Sequence, residues 1–90
     1  MIAISKERGT GRIVITTHGE LDDVTVSALL DALELTDEEA PIVIDLRDAG
    51  PVTTSYDLRL MSTLAFRSGQ VAFRGAHREH RRLVNVARSG

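Results

Sequence analysis

Isoleucine alternates with polar neighbours at Ile2 and Ile4, and after the punctuation Arg8-Gly9-Thr10-Gly11 the β-branched run Ile13-Val14-Ile15 follows. Period-two apolar positions on either side of a glycine-rich turn predict two strands joined as a hairpin. The second strand runs out through Thr16 and Thr17 to a bend at Gly19, beyond which Asp22 or Asp23 supplies a helix N-cap. Val26, Leu29, Leu30 and Leu33 then recur at i, i+3, i+4 and i+7, so a first helix is predicted from Val24 to about Leu35.

Pro41 restarts the chain as the continuously apolar segment Ile42-Val43-Ile44-Asp45-Leu46. A strand without alternation is expected where both faces are covered, so this segment is predicted as the central strand. A short Gly50-Pro51 link leads to Val52-Thr53-Thr54-Ser55, where Thr53 or Thr54 can cap a second helix whose buried stripe is Leu58, Met61, Leu64 and Ala65. Ser68-Gly69 ends that helix, Gln70 to Phe73 forms a short strand, and His77 to Arg88 forms a last helix with His80, Leu83, Val84 and Ala87 on one face. The predicted order is β-β-α-β-α-β-α. Such a chain makes a small α/β sandwich with a mixed four-stranded sheet: the hairpin is antiparallel, and the alternating elements imply a parallel crossover.

Ninety residues suit one domain spanning residues 1–90. Without cysteine the chain has neither a thiolate metal site nor a disulfide framework. No apolar run reaches the roughly 18 residues of a membrane span, and Met1 to Gly11 lacks the uncharged core of a signal peptide, so a cytoplasmic protein is expected. The net charge of −2 is unevenly spread: residues 1–50 carry −7 and residues 51–90 carry +5. Both signs on one small domain read most simply as one solvated surface.

The chemistry-bearing residues gather at two turns. Thr53, Thr54 and Ser55 place three hydroxyls at the predicted start of a helix, where unpaired N–H groups and the helix dipole favour an anion, including a phosphate carried on one of those hydroxyls. Tyr56, the only tyrosine, follows as a candidate interface anchor, and Arg59 lies one turn further on. At the other turn, Glu20, Asp22 and Asp23 precede the first helix. Asp45 at the end of the central strand reads as a turn-stabilising acceptor. His77 and His80 lack zinc-ligand spacing, and the arginines of the last helix lack aromatic interleaving. No phosphate loop, nucleophile elbow or dinucleotide fingerprint occurs, so neither an enzyme nor a cofactor is expected.

Gly19-Glu20-Leu21-Asp22 before the first helix, together with Ile42-Val43-Ile44-Asp45-Leu46 and the hydroxyl trio, resembles the STAS family, the sulfate-transporter and anti-sigma-factor-antagonist domain. The resemblance extends over nearly the whole chain. It implies a STAS-like sandwich acting by protein interaction as an anti-sigma factor antagonist (anti-anti-sigma factor) in bacterial transcription regulation. The partner it implies is an anti-sigma factor, often a serine kinase, which the unmodified domain binds and from which phosphorylation at the second helix start releases it. Thr53-Thr54-Ser55-Tyr56 stands where family members carry Asp-Ser-Ser-Gly, which makes Thr54, or Ser55 beside it, the candidate phosphoacceptor. Glu20, Asp22, Asp23, Thr53, Thr54, Ser55, Tyr56 and Arg59 form the expected partner-binding set. The lost acid and glycine leave a second reading open, a phosphorylation-independent scaffold or accessory subunit of a transport ATPase. A third is nucleic-acid binding through the arginine-rich last helix. A homodimer is compatible with each of these.

Overall fold

The computed structural model describes residues 1–37, 40–53, 58–67 and 70–88. The elements run in the order β1 (Ile2–Lys6), β2 (Ile13–Leu21), α1 (Asp23–Leu35), β3 (Ile42–Val52), α2 (Leu58–Phe66), β4 (Val71–Arg74), a single 3-10 turn (Arg78–His80) and α3 (Arg81–Arg88). The four strands lie in chain order in one mixed sheet, β1 antiparallel to β2, and β2, β3 and β4 mutually parallel.

Strand alternation gives the sheet two unlike faces. Ile15, Ile42, Ile44 and Leu46 join Leu29, Leu30 and Leu33 of α1, Leu60 and Leu64 of α2 and Leu83 of α3 in one apolar cluster, so all three helices cover the same face. On the opposite face, Ser5, Val14, Val43 and Ala72 stand in one row across the four strands. Charged side chains cover it. Arg74 of β4 donates to Glu7 at 3.0 Å, and Glu7 also accepts from Arg12 at 2.6 Å, so the pairs tie β4 to the turn after β1 across the width of the sheet. Val14 and Val43 are buried on this face. The two guanidiniums, with Thr10, hold the pKa of the Glu7 carboxyl down to about 2.

Three features differ from the sequence expectation. The central strand does not stop at Leu46, and Gly50-Pro51 is not a link: β3 continues through both to Val52. It can do so because β4 pairs with it only as far as Asp45↔Arg74, so the missing N–H of Pro51 falls where no β4 ladder bond is required. Gly19 does not end β2, which continues to Leu21, and the positive φ of +81° at Gly19 accommodates a register shift inside the paired strand. In α2, Ala65 is exposed, while Leu60 is buried with Leu64; a spacing of four sets the face that meets the core. The buried side of α1 contains all four predicted residues, and Asp22 is its N-cap.

Candidate partner-docking surface

The Glu20 to Asp23 turn and Thr53, the described residue of the hydroxyl trio, lie side by side at the carboxyl ends of β2 and β3. Leu21 of β2 stands opposite Val52 of β3, and the Thr53 N–H donates to the Leu21 carbonyl at 3.2 Å. The geometry is set by two register shifts, at each of which β3 advances three residues while β2 advances two. Such bulges bend and twist a strand and re-aim the segment beyond it.

Polar contacts fix both bulges. At the first, Asp45 Oδ1 accepts from the Arg47 backbone N–H at 3.0 Å, and Asp45 Oδ2 accepts from Arg47 Nη2 at 2.8 Å. The Arg47 side-chain hydrogen bonds, and secondarily its backbone N–H and charge, outweigh burial and hold the Asp45 carboxyl below the usual carboxylate range. Asp45 is thus a turn clamp, the role its position suggested. Beyond the end of β4, the outer edge of β3 is met by two histidines. His77 Nε2 lies 3.2 Å from the Arg47 carbonyl, and His80 Nε2 lies 2.9 Å from the Gly50 carbonyl. The His80 ring is fully buried, and its Nδ1 accepts from the His77 backbone N–H at 3.0 Å. A ring that accepts at Nδ1 and faces a carbonyl at Nε2 is the neutral tautomer carrying its proton on Nε2. This pair, which lacks zinc-ligand spacing in the sequence, therefore replaces the missing stretch of β4. Among the described residues, no group of three or more His, Cys, Asp or Glu is arranged to hold a metal ion.

Gly75 lets this clasp close. Its φ is +69°, and a Cβ there would stand 2.0 Å from Arg47 Cγ and 3.0 Å from Arg47 Cα. Any side chain would push the segment after β4 away from the first bulge.

The expected partner-binding residues fall into three groups. Glu20, Thr53 and Asp23 are exposed, the first two on the adjoining strand ends and Asp23 in the first turn of α1. Asp22 is committed locally: its Oδ1 accepts from the Thr25 N–H at 2.9 Å, and that bond holds its carboxyl below the ordinary range. Arg59 is the second residue of α2, with its side chain outside the described part, and Thr54, Ser55 and Tyr56 lie outside the described residues altogether. His18 and Asp48, opposite each other on β2 and β3, add an exposed pair at 3.8 Å to the same end of the sheet.

Several contributions could not be seen in the sequence. His80 and Gly50, and Glu7 and Arg74, meet across separations of 30 and 67 residues without a local pattern that pairs them. Arg67, 4% exposed, donates to the Thr36 carbonyl at 2.6 Å and the Asp37 carbonyl at 3.2 Å, capping the chain as it leaves α1. With Arg74 held on Glu7, two arginines of the basic half serve contacts within the domain. A crevice of about 380 Å³ lined by Glu34, Ser62, Thr63, Phe66 and Arg67 lies between the C-terminal parts of α1 and α2, remote from the two turns. Among the described residues, no helix is long and apolar enough to cross a membrane. The chain matches none of the protein-family models and none of the curated proteins with which it was compared.

Proposed function

We propose that this chain is a STAS-like interaction domain acting as an anti-sigma factor antagonist, and that it docks through the paired ends of β2 and β3. The observation that carries the reading is the bond from the Thr53 N–H to the Leu21 carbonyl. It brings the Glu20 to Asp23 turn beside Thr53 at the end of β3, so that Asp23 and Thr53, 30 residues apart in the sequence, belong to one surface. A four-stranded mixed sheet with helices packed on it supports the reading at the level of fold class.

Docking is recognition rather than catalysis. Exposed Glu20, Asp23 and Asp48 give the surface an acidic character suited to a basic patch on the anti-sigma factor, with steering that weakens as salt rises. Thr54 and Ser55 are the proposed acceptors of a regulatory phosphate. A phosphoryl group adds about −1.5 to −2 charges, which would repel and desolvate an interface built for the unmodified surface.

Capture on the immobilised domain from lysate of its native host should recover an anti-sigma factor of the kinase type. Incubation with that partner and ATP, followed by mass spectrometry, should add one phosphate to the peptide containing Thr54 and Ser55. Recovery of no such partner would refute the proposal. A bound partner that leaves the Thr54→Ala/Ser55→Ala double variant and the wild type alike in affinity and release, with or without ATP, would favour the phosphorylation-independent scaffold. Thr53 in place of an acid favours that second reading.

A further inference from the structure

We infer that the outer edge of β1 is a homodimer interface, in which two copies pair antiparallel across a two-fold axis at Ile4 and join their sheets into one of eight strands. This edge is a lateral flank of the sheet, whereas the docking surface lies at the carboxyl ends of β2 and β3, and its pairing does not depend on which partner docks there.

The backbone pattern sets the register. The His18 N–H donates to the Met1 carbonyl at 2.9 Å, and the Glu7 N–H donates to the Arg12 carbonyl at 2.8 Å. In an antiparallel pair, hydrogen-bonded positions recur every second residue, so Met1, Ala3, Ser5 and Glu7 face β2 with their backbone groups. Ile2, Ile4 and Lys6 then direct their N–H and C=O groups away from the sheet. β1 is an edge strand, and among the described residues no other strand pairs with it on that side. It contains no proline, and its one charge is at its end. The common devices that blunt an edge are nearly absent.

A two-fold axis through Ile4 pairs Ile4 with Ile4 of the second copy and Ile2 with Lys6 of that copy. All three outward-facing residues thereby become hydrogen-bonded positions of a new antiparallel ladder. The strand is complementary to itself without any shift.

α1 extends the same surface. It packs over β1 and β2, and its Glu34 lines the crevice against α2. Val24 and Leu35 lie on the exposed side of α1, away from the face it buries. Ile4 is 55% exposed, Val24 77% and Leu35 87%. With strands about 4.8 Å apart, a helix seated between β1 and β2 comes within about 10 Å of its symmetry mate, which is an ordinary distance for packed helices. The two α1 helices would run antiparallel on either side of the axis. At roughly 100 Å² of apolar surface per side chain, Ile4 and Met1, which is 79% exposed, supply about 200 Å² per copy. The strand edges and the flanks of the two helices extend this toward the roughly 800 Å² per partner of a standard interface. The dyad would leave the two docking surfaces at opposite ends of the joined sheet.

Sedimentation equilibrium on the full chain up to millimolar concentration should give twice the chain mass of 9.8 kDa, and Ile4→Lys should return that mass to the monomer while the circular dichroism spectrum is retained. Because the native chain has no cysteine, Ile4→Cys tests the register directly. A hydrogen-bonded pair at the dyad has Cα atoms about 5.5 Å apart, within disulfide range, so mild oxidation should crosslink Ile4→Cys but not Ser5→Cys, which faces Ala3 of the second copy. A monomer throughout the concentration series would overturn the inference. So would a dimer that survives Ile4→Lys, or equal crosslinking at positions 4 and 5.

Discussion

The two halves of β3 are held in place by different physics. Ile42 to Asp45 is paired on both sides, by β2 and β4, and these four residues and Leu46 are buried. Arg47 to Val52 is paired by β2 alone through two bulges, exposes Arg47, Asp48 and Pro51, and is held on its outer edge by His77 and His80. Apart from Asp45, which clamps the first bulge, the first half needs only apolar volume. The second needs particular groups at particular places, and it is the half that delivers Thr53 to the Leu21 carbonyl. The stability of this domain and the positioning of its docking surface therefore reside in separate stretches of one strand.

The largest effect should come from the first half. Ile44→Ala empties a site that is 1% exposed beneath all three helices, and chemical denaturation should show a loss of about 2–5 kcal/mol. The conservative Ile44→Val should cost about 0.5–1.5 kcal/mol and leave partner affinity unchanged, because the packing it alters is remote from Thr53.

In the second half, His80→Phe keeps ring volume but leaves the Gly50 carbonyl and the His77 N–H without their partner, for an expected loss of about 1–3 kcal/mol. Unlike Ile44→Val, it should weaken partner binding beyond its effect on folding. If both variants changed stability and affinity in the same proportion, the division between the two halves would fail. Gly75→Ala acts on the same clasp through a clash with Arg47 and a strained positive φ, with an expected cost of about 1–2 kcal/mol in the same denaturation assay.

The smallest effect concerns pH and the charged face. Glu7 has its pKa lowered from 4.5 to about 2 by Arg12, Arg74 and Thr10, so the folded state favours the ionised form. Its stabilisation is complete above pH 4.5, where the unfolded chain is ionised too, and is lost as pH falls toward about 2. Asp22 and Asp45, also lowered, contribute in the same direction. Thermal melts of Glu7→Gln should show a shallower acid decline than the wild type; parallel curves would mean that the network spanning the sheet adds nothing.

This contrast also explains what was legible in the sequence. The first half of β3 shows itself in a run of branched apolar residues, and the buried face of α1 in its helical spacing, because burial writes a local and repetitive pattern. The second half looked like a link because Gly50-Pro51 ordinarily signals a turn. What makes it a strand is the early end of β4 and two histidine rings from 30 residues away, neither of which leaves a local trace. In α2, the spacing of Leu58, Met61, Leu64 and Ala65 admitted more than one face, and contact with the core selected the one containing Leu60 and Leu64. At the candidate site, the acidic turn and Thr53 were each visible. Their adjacency was not, because it depends on how far β2 and β3 advance through two bulges.

The proposed docking is tested most directly by titrating the partner recovered by capture, by calorimetry, into the wild type and a Glu20→Arg/Thr53→Arg double variant. Both positions are exposed on adjoining strand ends. The charge-reversed variant should fold as the wild type does and lose at least roughly tenfold in affinity, a change of about 1.4 kcal/mol. Equal affinity for the two proteins would place the partner elsewhere on the domain and contradict the assignment of this surface.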